Sequence, residues 1–211
     1  AELQPEYLFT LPALQFPARL NCATELLDNA ISKGWGDRPC IQAPGVHWTY
    51  AELLAQANRI ANVLVQDMGL VPGNRVLLRA PNSPMLAACW FAVVKAGGIA
   101  VGSMPLLRAK ELKQILDKAQ ISHALCDLRL AEELKLATAD CPQLRQLRFF
   151  NDDSAEGLEA AMAHAPAMFT NVATAADDIC LMAFTSGTTG TPKGTMHFHR
   201  DVMAACACWP P

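Results

Sequence analysis

The sequence has no block of Lys or Arg, no long apolar run, no C-x-x-C pair, no internal repeat and no low-complexity tract. Each absence removes a class of function. Lys and Arg number 17 against 20 Asp and Glu, giving a net charge of −3 and a pI near 5.9. A nucleic-acid partner ordinarily leaves a basic footprint, and a membrane-surface site a basic patch, so neither partner is expected. The longest apolar run, Met85 to Val94, is too short to span a bilayer and predicts a buried helix. The start, AELQPEYLFT, lacks the basic-then-apolar pattern of a secretory signal; it also lacks Met, so a processed or trimmed start is expected.

What is present is a chain of 211 residues, 52% hydrophobic, with a mean hydropathy of +0.16. That length can bury a sizeable core. The eight cysteines, Cys22, Cys40, Cys89, Cys126, Cys141, Cys180, Cys206 and Cys208, mostly have apolar neighbours. Free thiols in a reducing, cytoplasmic setting are the simplest reading. Cys206-x-Cys208 has no second ligand pair at metal-binding spacing, so core packing is favoured there and no metal site is expected. His197 and His199 flank Phe198, and alternation along a strand accounts for both without a metal. His123, at the start of an apolar segment, reads as a core histidine, and Trp48, Trp90 and Trp209 as core or interface residues.

The pattern along the chain predicts an α/β fold. Residues 1–20, with three prolines, read as an extended arm. Residues 21–70 read as helices and a hairpin: Ala43-Pro44-Gly45 turns between two short strands, and Thr49-Tyr50-Ala51-Glu52 fits a capping box. The helix it opens places Leu53, Ala57, Ile60, Ala61 and Leu64 on one face. Residues 71–211 then alternate. Strands are expected at 75–79, 99–102, 123–126, 146–150 and 179–184. Helices are expected after Ser83-Pro84, over Leu112, Ile115, Leu116 and Ala119, over Leu130, Leu134 and Ala137, and over Leu158, Ala161 and Met162. Residues 163–178 read as loop, and His199 to Cys208 as a helix. Such alternation makes a largely parallel sheet with helices on both faces. The strand Ile179 to Phe184 is wholly apolar and expected to be buried on both faces.

That strand runs directly into FTSGTTGTPKG, Phe184 to Gly194. Thr185, Ser186, Thr188, Thr189 and Thr191 offer hydroxyl donors, Lys193 a cation, and Gly187, Gly190 and Gly194 a backbone free to turn its N–H groups inward. Pro192 fixes one φ. No carboxylate is present to repel an anion. Ligands of parallel sheets bind outside the carboxyl ends of strands, which is where this loop begins. A polyphosphate is the natural ligand. The pattern G-x-x-x-x-G-K-[ST] does not fit, because Gly194 rather than Ser or Thr follows Lys193.

FTSGTTGTPKG resembles the phosphate-loop signature of the adenylate-forming (AMP-binding) superfamily. Trp48-Thr49-Tyr50-Ala51-Glu52-Leu53, Gly73-Asn74-Arg75-Val76 (with Asn74 where Asp is usual) and Lys95-Ala96-Gly97-Gly98 resemble further segments of that family. His199 falls at its "H-x-N" position, with Asp201 in place of Asn. RVLLRAPNSPMLAACWFAVVKAGG, MPLLRAKEL and TMHFHRD are most similar to aryl-CoA ligases of the 2-aminobenzoate–CoA and benzoate–CoA ligase type.

The resemblance implies an ATP-dependent, AMP-forming acid–CoA ligase. Its cofactors and co-substrates would be ATP with Mg²⁺, CoA and a carboxylic acid, aromatic by the nearest similarity. Thr185, Ser186, Gly187, Thr188, Thr189, Gly190, Thr191, Pro192, Lys193 and Gly194 would hold the ATP phosphates, and His199 would lie near the nucleotide. The chain would be the N-terminal portion of one large adenylation domain. Adenine and ribose contacts, a hinge and a C-terminal lid with its lysine would lie outside it, so no catalytic residue falls within these 211 residues and the chain alone is expected to be inactive. Residues 21–70 would then pack on later sequence, and the uncovered surface, including Leu26, Ile31, Leu53 and Ile60, would favour self-association. Two other readings remain open on the residues: a non-catalytic nucleotide-binding or assembly module using the same loop, and a self-associating structural unit that needs no nucleotide.

Overall fold

The computed structural model describes residues 10–185 and 192–209. The central part of the glycine-rich loop, Ser186 to Thr191, therefore lies outside the described residues, as does the expectation that this loop is solvent-exposed and poorly ordered.

After a short turn at Pro12–Leu14, the chain enters a helical segment of wide π-type turns, Thr24–Asp28, that passes into α1, Asn29–Ser32. The hairpin follows as β1, Pro39–Ala43, and β2, Val46–Thr49, paired antiparallel. Helix α2, Tyr50–Asn62, opens on the capping box: Thr49 Oγ1 accepts from the Glu52 N–H at 3.2 Å, and Glu52 Oε2 accepts from the Thr49 N–H at 2.7 Å. Then come β3, Arg75–Arg79; α3, Pro84–Lys95; β4, Ile99–Ser103; and α4, Ala109–Ala119. Ser83 Oγ accepts from the Leu86 N–H to cap α3, and Gly97 closes that helix at φ +71°, where only glycine is at ease. The rest comprises β5, His123–Asp127; α5, Ala131–Thr138; β6, Gln146–Phe150; α6, Leu158–His164; β7, Ile179–Thr185; β8, Lys193–Phe198; and α7, His199–Cys208.

Six strands form one sheet in the order β6-β5-β3-β4-β7-β8. All neighbours are parallel except β8, which returns antiparallel along β7. Alternation along the strands separates two cores. Val76, Leu78, Ala100, Leu125 and Phe150 face α2, α3 and α6. Leu77, Val101, Ala124 and Cys126 face α4 and α5. The expected helical faces are buried as read, including Leu53, Ala57, Ile60, Ala61 and Leu64 on α2 and Leu112, Ile115, Leu116 and Ala119 on α4.

Three expectations need correction. Leu53 and Ile60 do not form an uncovered surface: they are fully buried within this chain's own core, because α2 packs along α3. Leu26 and Ile31 are half-buried. Strand β7 is not buried on both faces. Of its residues only Cys180 is fully buried, since the side chains from Leu181 to Thr185 border an open cleft and β8 beyond it is the sheet edge. Trp209, read as a core or interface residue, is not in the core; it is exposed at the end of α7.

The segment between α6 and β7 lacks regular structure yet is firmly attached. Asn62 Nδ2 donates to the Pro166 and Met168 carbonyls at 3.0 and 2.9 Å, and Asn21 Nδ2 donates to the Val94 and Val172 carbonyls at 3.0 and 3.2 Å. Lys95, fully buried at the end of α3, meets the Asp28 carboxylate at 2.5 Å and so ties the first helical segment to α3. His123 is a satisfied core histidine, its Nε2 lying 3.0 Å from the Met68 carbonyl oxygen. Among the described residues no helix is long and apolar enough to cross a membrane.

Candidate functional site

The connection after β3 leads to α3 on one face of the sheet, and the connection after β4 leads to α4 on the other. Where adjacent parallel strands diverge in this way, a crevice opens at their carboxyl ends. Here it is a cleft of about 660 Å³. Asn82 follows β3, Ser103 and Met104 end β4, Glu111 and Gln114 project from α4, and Trp90 projects from α3. Phe184, Thr185 and Pro192 line the same cleft, so both described ends of the glycine-rich loop stand at its wall.

Thr185 and Lys193 are directly paired across β7 and β8, and both are exposed. The next pair inward is Phe184 and Gly194. A Cβ on Gly194 would lie 3.1 Å from the Phe184 ring. Gly194 therefore has a different reason from the one its sequence suggests: it serves close packing in an extended strand rather than a left-handed turn. Lys118, near the end of α4, donates to the Pro192 carbonyl at 2.7 Å, which places a second cation at the base of the loop.

The cleft wall is held by a residue that sequence reasoning passed over. Arg79, only 1% exposed, lies at the end of an apolar strand. Its guanidinium donates to the carbonyls of Met104, Pro105 and Leu107 at 3.1, 3.1 and 2.9 Å, fixing the loop after β4. Burial pulls its pKa below the ordinary arginine value. The signal available in RVLLR was a second charge at the far end of a run otherwise committed to the core.

His199 was expected near the nucleotide, and the structure places it inside the molecule. It is 1% exposed and does not line the cleft. Its Nδ1 accepts from the Cys22 N–H at 3.1 Å, and burial lowers its pKa to about 4, so the ring is neutral at ordinary pH. The reason is topological: β8 runs antiparallel to β7, so its far end lies at the opposite end of the sheet from the cleft. Ser186, Gly187, Thr188, Thr189, Gly190 and Thr191 lie outside the described residues.

Residues 28–210 match the family described as AMP-binding enzyme. The chain belongs to that family. Among curated relatives, it is 27% identical over 194 residues to the benzoate–CoA ligase of Thauera aromatica, covering 92% of this chain and 37% of that protein. It is 35% identical over 166 residues to the long-chain-fatty-acid–CoA ligase FadD13 of Mycobacterium tuberculosis, covering 78% of this chain and 32% of that protein. The chain thus spans about a third of the length of such relatives. Among solved structures, the anthranilate CoA ligase AuaEII in complex with anthranoyl-AMP superposes with a TM-score of 0.83 at 23% identity, over 90% of this chain and 36% of that one, a likeness of fold. ATP-bound MatB from Rhodopseudomonas palustris superposes with a TM-score of 0.71 at 30% identity, over 85% of this chain and 35% of that one. The AMP-binding chain described here is therefore a mixed α/β unit matching the N-terminal region of adenylate-forming enzymes.

Proposed function

We propose that this AMP-binding chain is the N-terminal portion of the large adenylation domain of an ATP-dependent, AMP-forming acid–CoA ligase acting on an aromatic acid such as benzoate or 2-aminobenzoate. The observation that carries the reading is the placement of Thr185 and Pro192, the described ends of FTSGTTGTPKG, on the wall of the crevice where the parallel sheet diverges. The similarity to a benzoate–CoA ligase over nearly the whole chain supports the aromatic assignment.

In this reading, residues 185–194 hold the β- and γ-phosphates of ATP, with its Mg²⁺ bound alongside the phosphates. A carboxylate oxygen of the acid attacks the α-phosphorus, releasing pyrophosphate and leaving an acyl-adenylate. The thiol of CoA then displaces AMP. Charge builds on the phosphates in the first step, and preorganised donors lower its energy without reorganising. The chain supplies the Thr185 hydroxyl and the Lys193 ammonium at the loop ends, both exposed to receive an anion. Arg79 keeps the opposing wall fixed through the Met104–Leu107 carbonyls.

The test is acid-dependent exchange of labelled pyrophosphate into ATP, measured on the full-length protein that carries this sequence, with benzoate, 2-aminobenzoate and aliphatic acids. Exchange is expected with the aromatic acids, falling at least about tenfold in Lys193→Ala. Faster exchange with a fatty acid than with any aromatic acid would overturn the substrate assignment. Nucleotide binding without exchange on any acid would favour a non-catalytic module.

A further inference from the structure

We infer that Cys22, Cys180 and His199 form a buried site for one soft, closed-shell metal ion of the zinc or cuprous class, remote from the nucleotide cleft. The three ligand atoms lie within 4.8 Å of one another, and all three residues are buried. His199 Nδ1 is 3.3 Å from Cys22 Sγ. In a tetrahedral zinc site, bonds of about 2.3 Å to sulfur and about 2.0 Å to nitrogen place the ligand atoms about 3.6 Å apart. The cluster needs shifts of only tenths of an ångström to reach that spacing at this edge.

Charge and protonation agree. Nδ1 accepts the Cys22 N–H at 3.1 Å, so its lone pair points toward Cys22 and the ring's own proton is on Nε2. A neutral imidazole ligates without first losing a proton. Cys22 and Cys180 are both fully buried and free of any disulfide, so both sulfurs are available as ligands. A divalent ion would displace two thiol protons, giving two thiolates, one neutral imidazole and a net charge of zero. A neutral cluster is tolerable where an isolated charge is not. Its immediate surroundings are apolar: Ala23, Val94, Trp90, Leu181 and Val202. Three contacts would be given up: the Cys22 N–H to Nδ1, the hydrogen bond between the Cys22 and Cys180 thiols, and the Cys180 thiol to the His197 carbonyl at 3.6 Å. Sulfur and imidazole together select soft or borderline ions over Mg²⁺.

The ligands come from three segments: the start of the first helical segment, β7 and α7. An ion there would clamp the far end of the β7–β8 hairpin whose turn is the glycine-rich loop. Cys206 and Cys208, further along α7, are exposed and are not among the three clustered ligands.

The experiment titrates the reduced chain with Co²⁺, followed by Zn²⁺ competition, and in a separate anaerobic arm with Cu⁺. One Co²⁺ per chain with thiolate charge-transfer absorption is expected, bleached by Zn²⁺. Preference for Cu⁺ over Zn²⁺ would assign the ion without moving the site. Cys22→Ser and Cys180→Ser should each lower affinity at least about 100-fold, beyond the 10–100-fold range of an outer-shell loss. The Cys206→Ser, Cys208→Ser double variant should bind like the parent chain. Because buried Cys→Ser changes can impair folding, X-ray absorption on the unaltered zinc-bound chain gives an independent reading: two sulfurs and one histidine nitrogen among the first-shell atoms. No thiolate band, a shell of oxygen and nitrogen only, or binding lost in the Cys206, Cys208 variant would each overturn the site.

Discussion

Gly194 and Phe184 show how one residue's size can be set by its cross-strand partner. A Cβ at Gly194 would sit 3.1 Å from the Phe184 ring, close enough that the ring must give by a few tenths of an ångström. Gly194→Ala should therefore destabilise the chain by about 1–3 kcal/mol, the usual range for overpacking. Adding Phe184→Leu to the Gly194→Ala variant should recover part of that loss. Urea unfolding of the two single variants and the double variant gives the coupling; strict additivity would show that the ring and the missing Cβ are unrelated. From sequence alone Gly194 read as one more flexible loop residue, because its neighbour across the sheet is set by a register that only the antiparallel return of β8 creates. Arg79 was hidden for a similar reason: the carbonyls it meets lie 25, 26 and 28 residues onward, on a loop with no pattern of its own.

Asp127 at the end of β5 ties two elements together. Its side chain is fully buried and accepts from the Arg129 guanidinium at 2.9 and 2.6 Å, from the Arg129 N–H at 3.0 Å and from Asn151 Nδ2 at 2.7 Å. The Arg129 side chain, first among these, holds the carboxyl below the usual aspartate range despite the opposing effect of burial. A lowered folded pKa gives stability that is complete above the unfolded value near 3.9 and is lost as pH falls through the folded one. Asp127→Asn should cost about 2 kcal/mol at pH 7. That difference should shrink steadily below about pH 4. Thermal unfolding of both proteins across pH 3–7 checks it, and a difference constant with pH would mean that the carboxylate charge is not what stabilises the turn. Elements with local signatures were legible throughout. The Thr49–Glu52 box, the Ser83–Pro84 start and the spacing of Leu112, Ile115, Leu116 and Ala119 each carry their cause in adjacent residues. Strand β8 was read only at its end, where His197 and His199 were placed on a strand; His197 lies in β8 but His199 opens α7, and KGTMHF on a sheet edge lacks the alternation that burial of one face imposes. The Cys22–His199 contact was not legible either, since its partners are 177 residues apart.

For the molecule as a unit, the cleft is open and the described part of the loop presents few contacts to a nucleotide. This chain should bind ATP with a Kd on the order of 1 mM, about 4 kcal/mol. Lys193→Ala should weaken that binding severalfold, and added salt should weaken it further, as for exposed charges. Calorimetry decides: micromolar affinity would place adenine or ribose contacts within these residues, contrary to the reading above. The fold class and crevice position were legible as a rhythm of strands and helices, whereas the cleft's walls come from residues far apart in sequence.

Thr185 and Lys193 are adjacent across a ladder, although seven residues join them along the chain. The hairpin stem thus closes the segment independently of what the segment contains. Lengthening such a closed segment is cheap, about 0.6 kcal/mol for each doubling. Loop-closure entropy alone therefore sets no strict length for the segment between them. Any intolerance to insertion or exchange there would report the shape of a bound molecule, so an insertion scan of this turn, scored separately for folding and for nucleotide affinity, would trace the ligand's outline from the protein side.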